Sequence, residues 1–204
     1  YFAIAGANLH GNAVRQGYFD TQVGWLPDLY SPMVFFADAT SRLGFAFSSQ
    51  ARNEIEEPAS TPLQRFQDRR DLFESLSRLS ERVFGNPLLL DDFAGATIRI
   101  RVGSVDSTPP ARNEPLGEFG RAVTRLPPLD AQGDGMRSFF GVMIPVLAGA
   151  QQIIIVDEPE AFLHPPQARA LGRELALAAT ARGAQVLVAT HDKDFISGVL
   201  DAQS

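Results

Sequence analysis

The stretch QIIIVDEPEAFLHP, residues 152–165, decides the fold. Its apolar run has the length of a strand and leads directly into two adjacent carboxylates, Asp157 and Glu158. A second apolar run, Val186-Leu-Val-Ala, ends shortly before His191. The residues between the two runs have helical length and spacing, which predicts a β-α-β crossover with two buried, parallel strands.

The other elements follow from shorter patterns of apolar residues and turn formers, and together they indicate an α/β domain. We predict, in chain order, a strand near Val34 within Met33 to Ala37, one long amphipathic helix from Leu63 to Val83 and a strand from Thr97 to Val102 with one wet face. Asp106 to Pro128 is predicted to be a loop, or a loop with one short strand near Gly117 to Thr124. After it we predict a helix from about Met136 to Leu147, the strand Ile153 to Val156, a helix from about Gln167 to Arg182, the strand Val186 to Ala189 and a helix from about Asp194 to Leu200.

Composition limits the classes of function. The 204 residues, 45% of them hydrophobic, can bury one substantial core. No apolar run approaches the roughly 20 residues that cross a bilayer, so no membrane partner is expected. The absence of cysteine excludes disulfides and thiolate sites and fits a reducing, cytoplasmic location. The formal net charge of −6 argues against a uniformly basic nucleic-acid-binding surface, although a local arginine patch is compatible with it.

Asp157 and Glu158 lie where a buried strand ends, and ligands of open parallel sheets bind at that edge. Adjacent side chains on an extended chain point to opposite sides, so we expect two different roles. Asp157 suits a hydrated Mg²⁺, and Glu158 suits the orientation or deprotonation of an attacking water. The alternative is a pair of solvated acids at a strand terminus, and the two residues in isolation do not decide between these interpretations.

The flanking residues carry a family resemblance. Residues 153–159 resemble the Walker B strand and catalytic glutamate of the ABC-class P-loop ATPases, and residues 160–167 are similar to the DEPE-x-x-LHP-x-x-Q form of their SMC-like and OLD-like branch, of the AAA_21 type. The resemblance implies a P-loop NTPase fold of the ABC ATPase type, with a parallel sheet core flanked by helices and a variable helical and β lobe. It also implies a D-loop after Glu158, in which His164 is either an interface residue or a helix cap.

His191 follows the second apolar strand and resembles the switch histidine of the same family. A lone histidine is more often structural than functional. At the C-terminal end of a strand parallel to the carboxylate strand, however, it faces the same crevice. Its imidazole could there hydrogen-bond a γ-phosphate oxygen or the attacking water, which favours the functional interpretation. His10 has no comparable context.

The segment Gly133-Asp134-Gly135 precedes the helix predicted from Met136. Glycines let backbone N–H groups approach an anion, and a following helix N-terminus adds the positive end of its dipole. The segment resembles the signature motif of ABC ATPases, which contacts ATP held by the opposite subunit. A simple glycine turn is the alternative, and the order ahead of the carboxylates favours the signature.

The resemblance assigns roles to these residues. ATP and Mg²⁺ would bind between two heads, in a homodimer or with a related ATPase head. Asp157 would hold Mg²⁺, Glu158 would act on water, His191 would contact the γ-phosphate, and Gly133, Asp134 and Gly135 would reach ATP in trans. Members of this branch commonly act on DNA or drive defence effectors, so DNA or a nuclease or other effector is a possible partner.

We divide the chain into residues 1–128, a partial ATPase head with the variable lobe, and residues 129–204, which hold the signature, Walker B, D-loop and switch-histidine portion. Arg42, in Thr-Ser-Arg-Leu, could belong to the variable lobe. Two other functions are open: a non-catalytic scaffold that keeps the sheet, and the nucleotide-binding subunit of a transporter. The transporter is less favoured because Gly133-Asp-Gly-Met-Arg departs from LSGGQ.

The phosphate-binding half of such a site is missing. A P-loop needs G-x-x-x-x-G-K-[ST], and the nearest match runs from Gly6 to Gly11 without the lysine or the hydroxyl. Of 18 basic residues, only Lys193 is a lysine, and it follows the switch histidine. We expect this stretch alone to bind ATP weakly and not to turn it over. A P-loop upstream in the natural protein is preferred to a degenerate module, because Glu158 and His191 are both intact and a non-catalytic module has no chemical requirement for the pair.

Overall fold

A computed structural model describes residues 2–4, 7–9, 34–52, 57–93, 96–106, 110 and 115–203. The described residues form short strands and helices, with a 3₁₀ turn at Leu129–Ala131. In chain order they are β1 (Phe2–Ile4), β2 (Ala7–Leu9), β3 (Val34–Ala37), α1 (Ala39–Leu43), β4 (Ser48–Gln50), α2 (Pro62–Asp68), α3 (Arg70–Phe84), β5 (Leu88–Asp91), β6 (Thr97–Val102), α4 (Gly117–Arg125), α5 (Asp134–Ala148), β7 (Ile153–Asp157), α6 (Pro165–Arg182), β8 (Gln185–Ala189) and α7 (Lys193–Asp201).

The sheet that carries the candidate site is parallel and has the order β3-β7-β8. Its central strand is β7, which runs parallel to β3 on one side and to β8 on the other. Both neighbours are in register with it, since Ile154 pairs with Phe35 and with Val186. The predicted β-α-β crossover and its parallel strands are therefore confirmed, as is the strand near Val34.

The described residues cover one face of this sheet and leave the other open. Ile154 and Val156 point to the covered face and are fully buried. Phe36, Ile155 and Leu187 form a row across the three strands on the opposite face. Phe36 is 48% exposed and Leu187 is 54% exposed. The prediction that both strands are buried is thus wrong for β8, because a buried parallel strand needs cover on both faces.

Helix α5 forms the centre of the core. Eleven of its residues are buried, and its hydrophobic residues pack with those of the covered sheet face and of the second sheet. Phe139 and Phe140 are completely buried, and both contact the ring of Phe84 at the end of α3. This continuous burial fixes α5 against the covered face of the sheet, so its N-terminus has a defined position relative to the strand ends.

The second sheet is antiparallel, with the order β4-β6-β5. Strand β6 has the predicted bounds, but its second face is not wet throughout. Arg101 is only 9% exposed, and its Nε donates a 2.6 Å hydrogen bond to Asp91 on β5. A charged partner on the neighbouring strand explains the difference, because alternation in one strand does not reveal what lies across the ladder.

Two further predictions differ from the structure. The single long helix is two helices, α2 and α3, which are separated at Arg69 by a non-helical backbone (φ −121°, ψ 71°). The short strand predicted near Gly117 to Thr124 is helix α4, in which Phe119 and Val123 are the buried residues. Their separation of four residues places both on one face of a helix.

Helices α6 and α7 cross closely. A Cβ added at Gly172 would lie 2.2 Å from the carbonyl oxygen of Phe195, and one at Gly198 would lie 1.9 Å from that of Arg169. The two backbones can approach this far only because both positions are glycine. In the part of the chain that the structure describes, no helix combines the length and apolarity needed to span a membrane.

Candidate functional site

The ends of β7 and β8 lie side by side. Asp157 pairs with Ala189, and the amide of Glu158 donates a 2.8 Å hydrogen bond to the carbonyl oxygen of Ala189. His191 follows two residues later, so the structure brings both carboxylates and the histidine to the same edge of the sheet. The side chains of Asp157 and Glu158 are exposed there, as a ligand site requires.

The backbone leaves the strand abruptly at Glu158. This residue has a φ of 44°, in the left-handed region that non-glycine residues seldom adopt, and Phe162 in the same loop has a φ of 71°. Two hydrogen bonds stabilise the loop, from the amide of Ala161 to Glu158 O and from that of Leu163 to Glu160 O, both 2.9 Å. Because the backbone of Glu158 is not extended, the alternation that would place its side chain opposite that of Asp157 does not apply here.

Glu160 links the two strand ends beneath His191. Its Oε2 accepts a 2.8 Å hydrogen bond from the hydroxyl of Thr190. Its Oε1 is buried, has no hydrogen-bond partner within the described residues, and lies 3.8 Å from Nδ1 of His191. The histidine side chain is 85% exposed. A carboxylate in this position can orient the imidazole and leave its other nitrogen towards a ligand.

The predicted signature segment begins α5. Gly133 is the N-cap residue, and no atom lies within 4 Å of a Cβ added there. At Gly135, by contrast, an added Cβ would lie 2.8 Å from the carbonyl oxygen of Phe162. The helix N-terminus therefore packs against the loop that follows β7. Gly133 is open to a ligand, whereas Gly135 is needed for packing.

Arg42 was not among the predicted site residues, and the structure places it directly beneath the site. Its guanidinium is almost completely buried and donates to two carbonyl oxygens, those of Asp157 (2.6 Å) and Glu158 (2.7 Å). Burial lowers the pKa of this guanidinium. Four nearby carboxylates oppose that shift: Asp38, Glu160, Asp157 and Glu158. Arg42 is thus part of the sheet edge, which the prediction of a variable lobe missed.

The carboxylates suit a metal that arrives with a nucleotide better than a resident metal. Within the described residues, no group of three or more histidine, aspartate and glutamate side chains is placed to hold a metal ion. Mg²⁺ in nucleotide sites is held by one or two carboxylates together with phosphate oxygens and water. The carboxylate of Asp157 has no hydrogen-bond or ion-pair partner in the described part of the chain, so it fits that arrangement.

The remaining histidines and glycines have weaker connections to the site. His164 is the N-cap of α6, and the side chain of Gln167 accepts a 3.1 Å hydrogen bond from its amide, which makes it a helix-capping residue. The near match to a P-loop, from Gly6 to Gly11, has both glycines outside the described residues, and His10 also lies outside them.

A comparison with protein families agrees with this geometry. Residues 23–197 match the model of the family AAA_21, described as "AAA domain, putative AbiEii toxin, Type IV TA system". The matched range covers well over half of the 204 residues and contains the strand ends, α5 and Arg42.

The chain belongs to this AAA family. No curated protein matches the chain. The family is of the P-loop ATPase type, so the predicted α/β fold of that type is confirmed and nucleotide binding is the activity that the family suggests. The matched range of this AAA domain includes the exposed carboxylates at the end of β7.

Proposed function

We propose that the AAA domain binds and hydrolyses ATP at the ends of β7 and β8, as one of two heads that close around the nucleotide. In this proposal Asp157 holds Mg²⁺, Glu158 orients and deprotonates the attacking water, and His191 contacts the γ-phosphate. The segment Gly133 to Gly135 contacts ATP held by the partner head, either a second copy or a related ATPase. Opening and closing of the dimer would drive a DNA-related or anti-phage defence effector.

The observation that supports this proposal most directly is the adjacency of β7 and β8. Because Asp157 pairs with Ala189, the residues that follow each strand emerge at the same level of the sheet. Two carboxylates and a histidine then share one solvent-open edge, where ligands of parallel sheets bind. No other described region combines these side chains at parallel strand ends.

The residues divide the chemistry of phosphoryl transfer between them. Bound with ATP, Mg²⁺ would supply charge neutralisation at the β- and γ-phosphates. Glu158 can accept a proton from the water that attacks phosphorus. The imidazole of His191, held near Glu160, can donate a hydrogen bond to the γ-phosphate oxygens as negative charge moves during the reaction.

The proposal requires a phosphate-binding lysine from outside these 204 residues. Lys193, the only lysine, is the first residue of α7 and lies beyond the switch histidine in chain order. A lost charge-assisted hydrogen bond costs about one to two decades of affinity. The stretch alone is therefore expected to bind ATP weakly and to show no turnover.

The decisive experiment is Glu158→Gln in the full-length protein. We expect this change to abolish turnover and to trap an ATP-bound dimer, because water activation is lost and nucleotide binding is kept. Glu81→Gln, at an exposed site on α3, is the matched control and should behave as the parent. Parent-like turnover by Glu158→Gln would contradict the assignment.

A non-catalytic scaffold is the second candidate, and one observation favours it: no lysine precedes β7. A scaffold that keeps the sheet and not the chemistry would have no ATP-dependent dimerisation in its full-length form. Sedimentation of the full-length protein with and without ATP and Mg²⁺ distinguishes the two candidates, since only the ATPase head shifts to a dimer.

A further inference from the structure

We propose that Arg42 and Ser138 together position the catalytic loop, and that this pair couples the N-terminal turn of α5 to Glu158. The inference rests on the proposed ATPase function for its catalytic meaning. Its structural content, that this pair sets the backbone geometry of residues 157–161, stands on contacts within the chain. Both are positioning residues, since neither is assigned contact with ATP.

The carbonyl groups of Asp157 and Glu158 point towards the same side chain, that of Arg42. Successive carbonyls in an extended strand point in opposite directions, yet those of Asp157 and Glu158 both accept hydrogen bonds from Arg42. This convergence is possible because Glu158 has a left-handed backbone (φ 44°). Such a conformation is strained and persists only where surrounding contacts hold it. Arg42 supplies two of those contacts.

Ser138 extends the same network to α5. Its hydroxyl accepts a 3.2 Å hydrogen bond from Nε of Arg42 and donates a 3.1 Å hydrogen bond to the carbonyl oxygen of Ala161. Arg42 and Ser138 therefore hold three carbonyls of one short loop, those of residues 157, 158 and 161. Ser138 lies in the second turn of α5, which begins at the predicted ATP-contacting segment.

The close packing of α1 on α5 makes the arrangement rigid. A Cβ added at Gly141 would lie 2.5 Å from the carbonyl oxygen of Arg42, so only glycine allows this approach. Arg137, on the same helix, donates to the carbonyl oxygen of Leu43 at the end of α1. A shift of α5 would thus move Arg42 and, through it, the backbone that carries Glu158.

Lysine cannot reproduce these contacts. The guanidinium of Arg42 directs Nη1, Nη2 and Nε to three different acceptors in one plane, whereas an ammonium is a point charge on a flexible stem. Arg42→Lys therefore keeps the positive charge but loses the planar, fixed arrangement of the three donors. Ser138→Ala is a milder second variant, which removes the link to Ala161 with little change in volume.

A matched control exists at the opposite end of the sheet. Arg182 is also a partly buried arginine whose guanidinium donates to backbone carbonyls, those of Pro145 (3.0 Å), Val146 and Gln151 (2.7 Å). Burial lowers its pKa as well. Arg182→Lys should disturb α5 and β7 at their distal ends and leave the catalytic loop in place.

The structural arm of the test is hydrogen exchange on the full-length protein without nucleotide, which requires no activity. We expect Arg42→Lys and Ser138→Ala to accelerate exchange of the Ala161 and Leu163 amides by about tenfold or more, because their loop loses its external support. Arg182→Lys should leave these two amides unchanged. Unchanged exchange in both site variants overturns the inference, whatever the outcome for ATP.

The catalytic arm uses the full-length protein. We expect Arg42→Lys and Ser138→Ala to lower kcat, by about tenfold to a hundredfold for Arg42→Lys, and to leave KM for ATP within about twofold, because Glu158 is misplaced while the nucleotide still binds. Arg182→Lys should keep the parent kcat. Parent-like kcat in both site variants overturns the inference, as does an equal loss in Arg182→Lys. If the parent protein shows no turnover, that result contradicts the proposed function. Hydrogen exchange then tests the structural part of the inference by itself.

Discussion

The hydroxyl of Thr190 donates a 2.8 Å hydrogen bond to Oε2 of Glu160, which joins the end of β8 to the loop after β7. The same hydroxyl accepts a 3.0 Å hydrogen bond from the amide of Asp192. The buried carboxylate is thus hydrogen-bonded through one oxygen, and its other oxygen, which has no hydrogen-bond partner among the described residues, faces His191. The two strand ends are therefore fixed relative to each other by side chains as well as by the sheet ladder.

Thr190→Val tests this link. We expect the free energy of unfolding to fall by about 1.5–3 kcal/mol, since a hydrogen bond to a charged, buried group is lost while the shape is kept. Urea denaturation of the isolated stretch measures the change. Thr180→Val, which removes an exposed hydroxyl that bonds only to Ala176 O on α6, is the control and should cost clearly less. Equal costs for the two variants would contradict a special role for the strand-end link.

The two glycines of the predicted signature should respond differently to substitution. Gly133→Ala meets no neighbouring atom, so it should cost about 1 kcal/mol or less of stability. Gly135→Ala pushes a methyl group against the carbonyl oxygen of Phe162 and should cost about 1–3 kcal/mol. Urea denaturation separates these expectations.

In the full-length protein, Gly133→Ala should weaken ATP-dependent dimerisation, because a side chain at this open turn obstructs the approach of a phosphate. Sedimentation with ATP and Mg²⁺ measures the dimer. A normal ATP-dependent dimer from stable Gly133→Ala protein would show that the segment is a glycine turn without a signature role.

Arg101→Met should be among the more destabilising single changes in the second sheet. It leaves Asp91, which is 5% exposed, as an unpaired buried charge and removes a 2.9 Å hydrogen bond to Leu126 O. Breaking a buried pair in this way costs about 3–5 kcal/mol. Thermal and urea unfolding measure the effect, with Arg69→Met as the control, because the pair of Arg69 and Asp71 is exposed. A small effect of Arg101→Met would mean that water reaches Asp91.

The carboxyl group of Asp38 predicts part of the loss of folding stability at low pH. The amide of Ser41 holds the pKa of this N-cap carboxyl below its usual value of 3.8, although its partial desolvation opposes the shift, and the amide of Thr40 adds to the lowering. A carboxyl with a lowered folded pKa stabilises the fold above the unfolded pKa, and this contribution is lost as pH falls through the folded pKa.

Asp38→Asn keeps an acceptor for both amides and does not titrate. We therefore expect the parent to be more stable than the variant near neutral pH, and the difference to shrink between about pH 4 and pH 2. Urea midpoints measured across this range test the expectation. A difference that stays constant down to pH 2 would mean that Asp38 does not contribute to the acid dependence.

Local patterns in the sequence were sufficient to predict β7, α6 and β8. Their apolar runs and the acids at the end of β7 are consecutive in the chain, so short windows reveal them. The order and the parallel direction of these strands follow from the helix between them. The exposed pair Asp157 and Glu158 and the nearby His191 could be predicted for the same reason.

Contacts between distant parts of the chain could not be predicted in this way. Arg42 and Glu158 are 116 positions apart, and no spacing rule connects them. The pairing of Arg101 with Asp91 is likewise invisible in the alternation of β6 alone. At Arg69 two helices meet without a glycine or proline to mark the break, and in α4 the preceding prolines suggested a loop. The spacing of residues along the chain does not show which distant residues will be in contact. Those contacts determine the local structure at these positions.

The described residues leave the row of Phe36, Ile155 and Leu187 without cover, which has a practical consequence for work with the isolated stretch. Apolar side chains on an open sheet face, beside a sheet edge, promote association with other chains. The stretch should therefore be most tractable at low concentration and low ionic strength. Leu187→Thr, on the outward face of β8, offers a route to better-behaved material without touching either strand-end carboxylate.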